Sequence, residues 1–111
     1  MSKNSFIDIK GVAQAKFENI YDKAKDAPAG YKIIHEVLSI ANLLVDKNIS
    51  YGSSFDTPIN IFSKADPEEQ LNIRIDDKLN RIKNGKEYAS EDTVLDLVGY
   101  LVLLRVLKNE R

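Results

Sequence analysis

Arg74-Ile75-Asp76-Asp77-Lys78-Leu79-Asn80-Arg81 and Glu91-Asp92-Thr93-Val94-Leu95-Asp96-Leu97-Val98-Gly99-Tyr100 are the two stretches whose reading decides the fold. The first repeats ionisable residues at three- and four-residue spacing, which is the period of a helix face. The second runs on into Leu101, Val102, Leu103 and Leu104, so Asp96 sits in a segment that is apolar on nearly every side. A carboxylate in such a helix is drawn toward the interior, where it needs a cationic partner or a metal.

Working outward, the helical period recurs through the chain. Phe6, Ile9, Val12, Ala13, Phe17, Ile20, Tyr21 and Ala24 predict a first helix from Phe6 to Lys25 with Ser5 as its cap. Asp26-Ala27-Pro28-Ala29-Gly30 breaks it, and Tyr31 to Asp46 follows as a second helix rich enough in Ile, Val and Leu to be largely buried. Lys47 to Pro58 reads as a loop of turn-forming and hydroxyl residues, the best loop candidate for a binding segment, with a short turn of helix at Ile59 to Ser63. Asp66 as cap, Pro67 at the first helical position and Glu69 mark the start of the third helix, which Gly85 ends. Ser90 caps the fourth, with Glu91 and Asp92 in a first turn where the helix dipole favours negative charge, and Lys108 to Arg111 is a frayed tail.

Nothing alternates as a strand would over more than a few residues, so these helices close only by packing on one another. The expected fold is all-α, a compact bundle of four main helices forming one domain over residues 1–111. At 111 residues the chain suits a single core, burying something over ~60% of its unfolded surface. The fourth helix, apolar almost all round, either occupies the middle of the bundle or packs against another subunit, and a homodimer through it is expected.

Composition excludes several functions. A formal net charge of -1 gives no electrostatic reason for nucleic-acid binding. The absence of cysteine excludes disulfides and thiolate metal sites, and a single histidine, His35, argues against a histidine-rich site. Any metal would be held by oxygen. The start lacks an apolar secretory core, and the longest apolar run, Leu97 to Leu104, is far short of the ~20 residues that span a bilayer. A cytoplasmic protein without membrane contact is expected.

Helical spacing groups the candidate chemistry. Arg74, Asp77, Lys78 and Arg81 share a face of the third helix, while Asp92 and Asp96 stack on the fourth with Tyr100 a turn later. Two stacked carboxylates repel unless a cation lies between them, and either magnesium or the third helix's Arg and Lys would serve. The plainer reading has Asp92 serving only the helix N-terminus and Asp96 paired with Lys78 or Arg81.

Tyr51-Gly52-Ser53-Ser54-Phe55, then Arg74-x-x-Asp77-Lys78-x-x-Arg81, then Asp92-Thr93-x-x-Asp96-Leu97-x-x-Tyr100 resemble the nucleotide-modification-associated domain 1 family of bacteriophages and prophages, over roughly residues 47 to 105. Asp96-Leu97-Val98-Gly99-Tyr100-Leu101 also resembles the second metal-binding helix of the all-α nucleoside triphosphate pyrophosphohydrolases, the group that includes MazG and dimeric dUTPase. Those enzymes carry a Glu-Glu-x-x-Glu cluster on a partner helix, where this chain's second helix offers only Glu36 beside His35.

The resemblance implies a phage-type protein of nucleotide metabolism that hydrolyses a nucleoside phosphate with magnesium. Asp77, Asp92 and Asp96 would be the metal ligands, Asp77 and Asp96 the catalytic groups. The competing expectation is a non-catalytic nucleotide-binding or host-interaction (anti-defence) protein. In that reading Arg74, Lys78 and Arg81 hold phosphate, Tyr51 or Phe55 stacks on a base, and Ser53 and Tyr100 complete the ligand-binding set.

Overall fold

The computed structural model describes residues 8–56, 60, 63–85 and 92–110. Four helices account for most of them: α1 (Ile9–Lys23), α2 (Gly30–Tyr51), α3 (Pro67–Lys83) and α4 (Thr93–Asn109). No strand occurs among the described residues, and the all-α bundle expected from the period is what forms.

α1, α3 and α4 each start where an aspartate side chain satisfies one of the first backbone N–H groups, whereas α2 has no side-chain cap. The Asp8 carboxylate accepts from the Gly11 N–H at 3.1 Å and caps α1, three residues beyond the expected cap Ser5, which lies outside the described residues. Asp66 accepts from Glu69 N–H at 2.8 Å, with Pro67 opening α3 as its sequence required. Asp92 accepts from Leu95 N–H at 2.9 Å. The cap of α4 is therefore Asp92 and not Ser90, which with Glu91 falls outside the described residues. A carboxylate at this position serves both the orphan donors and the helix dipole.

α1 gives way to one turn of 3-10 helix, Ala24–Asp26, and Ala27 is extended as the residue before a proline must be. The chain then turns back so sharply that the first turn of α2 lies on the backbone of Ala24. A Cβ built on Gly30 would overlap the Ala24 carbonyl and stand 2.8 Å from its Cα. Only glycine fits there, and its N–H donates to the Ala27 carbonyl at 3.1 Å.

α2 is longer than its sequence suggested. Lys47 to Tyr51, expected in a loop, are helical, because nothing between Asp46 and Tyr51 breaks a helix. The chain leaves the helix at the first residue that accepts positive φ, Gly52 at 64°. A short turn follows, closed by Asp56 N–H on the Ser53 carbonyl at 3.2 Å. The expected turn of helix at Ile59 to Ser63 lies largely outside the described residues. Beyond α3, Gly85 at φ 65° takes the chain out of its last turn.

α3 and α4 are antiparallel neighbours. Glu68 at the start of α3 meets Lys108 at the end of α4 at 3.4 Å, and Lys78 late in α3 meets Asp96 early in α4 at 3.2 Å. α4 also packs on the second half of α2, where Gly99 lets Leu44 approach so closely that an added Cβ would stand 3.3 Å from its Cδ2. α1 touches the rest of the chain at the Ala24 elbow.

The buried apolar side chains among the described residues are Ala24, Leu71 and Leu107. The expectation of a largely buried second helix is corrected here: Ile33, Val37, Leu38, Val45 and Ile49 on α2 are all exposed. The apolar period of α2 is real, but α4 covers only the Leu44 side of it. No helix among the described residues is long and apolar enough to cross a membrane.

The elbow makes a specific prediction. Gly30→Ala should destabilise the protein by about 2 kcal/mol, because the obstructing atoms are backbone and cannot swing aside as a side chain would. Chemical denaturation followed by far-ultraviolet circular dichroism measures this, and an unchanged midpoint would contradict the close approach.

Candidate functional site

A cleft of about 260 Å³ opens where the end of α2, the turn after it, the first half of α3 and the middle of α4 meet. That volume is near the lower end of small-molecule pockets, about 300 Å³. Its apolar floor is Leu44, Leu71 and Leu103, one residue from each of the three helices. Lys47, Asn48 and Tyr51 come from the last turns of α2. Gly52, Ser54 and Phe55 come from the turn, Gln70 and Arg74 from α3, and Tyr100 from α4.

Local bonds hold this rim in place. Asn48 Nδ2 donates to the Gly52 carbonyl at 3.4 Å and to Ser53 Oγ at 3.2 Å, tying the end of α2 to the turn that follows. Gln70 Nε2 donates to the Ala65 carbonyl at 2.8 Å and to Asn60 Oδ1 at 3.0 Å, anchoring the approach to α3. The Arg74 guanidinium lies over the Tyr100 ring at 5.9 Å from its centroid, a cation–π contact across the α3–α4 seam worth about 0.5–1 kcal/mol.

Among the described residues, the charged groups lining the cleft are Lys47 and Arg74, and no carboxylate lines it. Three aromatic rings, Tyr51, Phe55 and Tyr100, share that lining. Two cations with no opposing carboxylate favour an anion, and the rings offer flat apolar faces to a planar group.

Of the residues singled out in the sequence, Tyr51, Phe55, Arg74 and Tyr100 converge on this cleft. The others have different surroundings. Ser53 is occupied as the acceptor from Asn48. One turn further along α3, Lys78 pairs with Asp96 of α4 at 3.2 Å, with side chains only 11% and 28% exposed. Arg81 pairs with Asp77 at 3.5 Å along the same helix. Asp92 is engaged as the α4 cap.

Asp77, Asp92 and Asp96 thus each answer to a separate partner, and they are not brought together beside the Tyr51 to Asp56 segment. Among the described residues no three acidic or histidine side chains gather as metal ligands. A magnesium cage needs several oxygens converging on one point, and the described carboxylates do not supply that convergence. Glu36 offers no second half of such a site, lying on exposed α2 beside His35 Nδ1 at 3.9 Å.

Lys47 and Asn48 lie in the segment read as a binding loop but were not singled out as ligand residues, and Gln70 was not read as part of a site. The signal for the first two was present: once α2 continues to Tyr51, Leu44, Lys47, Asn48 and Tyr51 fall at spacings of three, one and three on one helix face. Gln70 carried no such signal, since its place depends on where α3 meets the α2 turn.

The energetics of the Lys78–Asp96 pair follow from its burial. Asp96→Asn should lower stability by about 2–3 kcal/mol by leaving the buried Lys78 ammonium without its carboxylate, somewhat below the loss for a fully buried pair because Asp96 keeps some solvent. Replacing both, Lys78→Met with Asp96→Leu, should recover most of that loss. Urea unfolding of the single and double variants measures the difference, and equal losses in both would refute the pairing.

No protein-family model, curated protein or solved structure matches the chain, which leaves the cleft's own chemistry to speak for function.

Proposed function

We propose that the protein binds a nucleotide or nucleoside phosphate in the α2–α3–α4 cleft and does not hydrolyse it. The observation that carries this reading is the lining itself: Lys47 and Arg74, three aromatic rings, and no carboxylate among the described residues. Arg74 offers two parallel donors to phosphate oxygens, and its contact with Tyr100 holds the guanidinium in place before a ligand arrives. Lys47 adds a mobile point charge from the opposite wall. Tyr51, exposed at the mouth, and half-buried Phe55 present ring faces on which a base can stack.

Hydrolysis needs a water activated by metal or by a general base within reach of phosphorus. The described residues of the cleft supply neither, since Asp77 and Asp96 are engaged with Arg81 and Lys78 outside it. The magnesium-dependent reading rests on the resemblance of the three motifs. The part of that resemblance supported by the cleft is the ligand set Tyr51, Phe55, Arg74 and Tyr100, and that set serves binding.

Thermal-shift screening of ribonucleotides, deoxyribonucleotides and cyclic nucleotides, with and without magnesium, tests the proposal. At least one nucleotide should raise the melting temperature without magnesium, and the effect should weaken with added salt. Arg74→Ala should reduce the affinity of that nucleotide by about 10- to 100-fold, the worth of charge-assisted bonds to phosphate. No response to any nucleotide would overturn the binding reading. Release of a hydrolysis product by wild-type protein with magnesium would establish the enzyme instead.

A further inference from the structure

We infer that the cleft takes a single phosphoryl group, so that its ligand is a nucleoside monophosphate and not a di- or triphosphate. This rests on the nucleotide-binding reading above and narrows it. Among the described residues the charged groups of the lining are Lys47 and Arg74, on opposite walls. A phosphomonoester carries a charge of about −2 near neutral pH, which these two cations match. Each further phosphoryl group adds negative charge for which the described lining holds no further cation. The next cations along α3, Lys78 and Arg81, face Asp96 at 3.2 Å and Asp77 at 3.5 Å outside the cleft.

The neutral polar groups set the same limit. Gln70 spends both amide hydrogens on the protein, donating from Nε2 to the Ala65 carbonyl at 2.8 Å and to Asn60 Oδ1 at 3.0 Å. Asn48 does likewise, its Nδ2 donating to the Gly52 carbonyl at 3.4 Å and to Ser53 Oγ at 3.2 Å. What each amide keeps for a ligand is its oxygen, an acceptor that repels phosphate oxygens. The hydroxyls of Tyr51, Ser54 and Tyr100 offer one hydrogen each and no charge.

Phosphate chains are commonly cradled by backbone N–H groups at a helix N-terminus. The helix start that adjoins this lining is that of α3, of which Gln70 is the fourth residue. There the Asp66 carboxylate already takes the Glu69 N–H at 2.8 Å and Pro67 has no N–H to give, while Glu68 and Glu69 add negative charge to the turn. α2 reaches the cleft with its last turns, whose free backbone groups are carbonyls and not N–H. A volume of about 260 Å³ is small for a ligand site and favours the shortest nucleotide.

Calorimetric titration of the intact chain, in EDTA and at fixed ionic strength, tests this. The probes are the mono-, di- and triphosphates of adenosine, guanosine, cytidine, uridine and thymidine, together with the methyl ester of each monophosphate. In at least one base series the monophosphate should bind about 10-fold or more tightly than the triphosphate, and about 10-fold more tightly than its methyl ester, which has lost a charge. Lys47 is exposed on α2, so Lys47→Ala removes a charge without removing packing, and it should largely abolish the advantage over the methyl ester. A triphosphate that binds as tightly as its monophosphate, or a methyl ester that does, in every series with measurable binding would overturn the inference and leave the binding reading standing. Silence from every nucleotide would overturn both.

Discussion

Lys78 and Asp96 bring a buried ammonium and a half-buried carboxylate to within 3.2 Å across the seam of α3 and α4, and the register of those two helices depends on that contact. In an antiparallel pair, fixing one cross-helix contact fixes the next turn on either side. One turn toward the start of α3 and the end of α4, the same register puts Arg74 over Tyr100. At the far end Glu68 meets Lys108. Apolar packing alone could tolerate a slip of one turn between the two helices, whereas a slip here would leave a buried charge unpaired at a cost of several kcal/mol. The pair therefore contributes specificity of register more than net stability.

The cleft is a consequence of that register together with the unforeseen length of α2. Had α2 ended at Asp46, Lys47 and Tyr51 would have no fixed direction. Because it runs to Tyr51, one face of its last turns brings a cation and an aromatic ring to the wall opposite Arg74 and Tyr100. Gly52 then reverses the chain and places Phe55 along the rim. The charge pattern follows from the pairing: Asp77 and Asp96 face cations and Asp92 caps α4, all outside the cleft, leaving Arg74 and Lys47 as the charged groups of its described lining. A cleft lined by two cations and, among the described residues, no carboxylate offers a favourable potential to an anion.

The same thin packing that leaves the cleft open leaves α1 and the outer face of α2 bare. The two features are separated along α2, with the cleft using the Leu44 to Tyr51 end and the aromatic cluster of Phe17, Tyr21 and Tyr31 lying at the elbow.

Local spacing made the helices and most of their ends legible in the sequence. Asp66-Pro67 announced α3 without ambiguity, the break at Asp26 to Gly30 separated α1 from α2, and the charged face of α3 with the lone aspartate of α4 pointed to their pairing. Six of the cleft residues, Tyr51, Gly52, Ser54, Phe55, Arg74 and Tyr100, were also visible as motif members. What the tertiary structure decided was partnership. Spacing alone left Lys78 and Arg81 equally open as the cation facing Asp96, and the seam puts Lys78 against it. The apolar stripe of α2 signalled burial, but a period says only that a face is greasy and not what covers it. Helix caps and periods are set by atoms a few residues apart, so sequence fixes them. Ion pairs between helices and the covering of a face are set by contacts among residues distant in the chain, and only the folded arrangement brings those together.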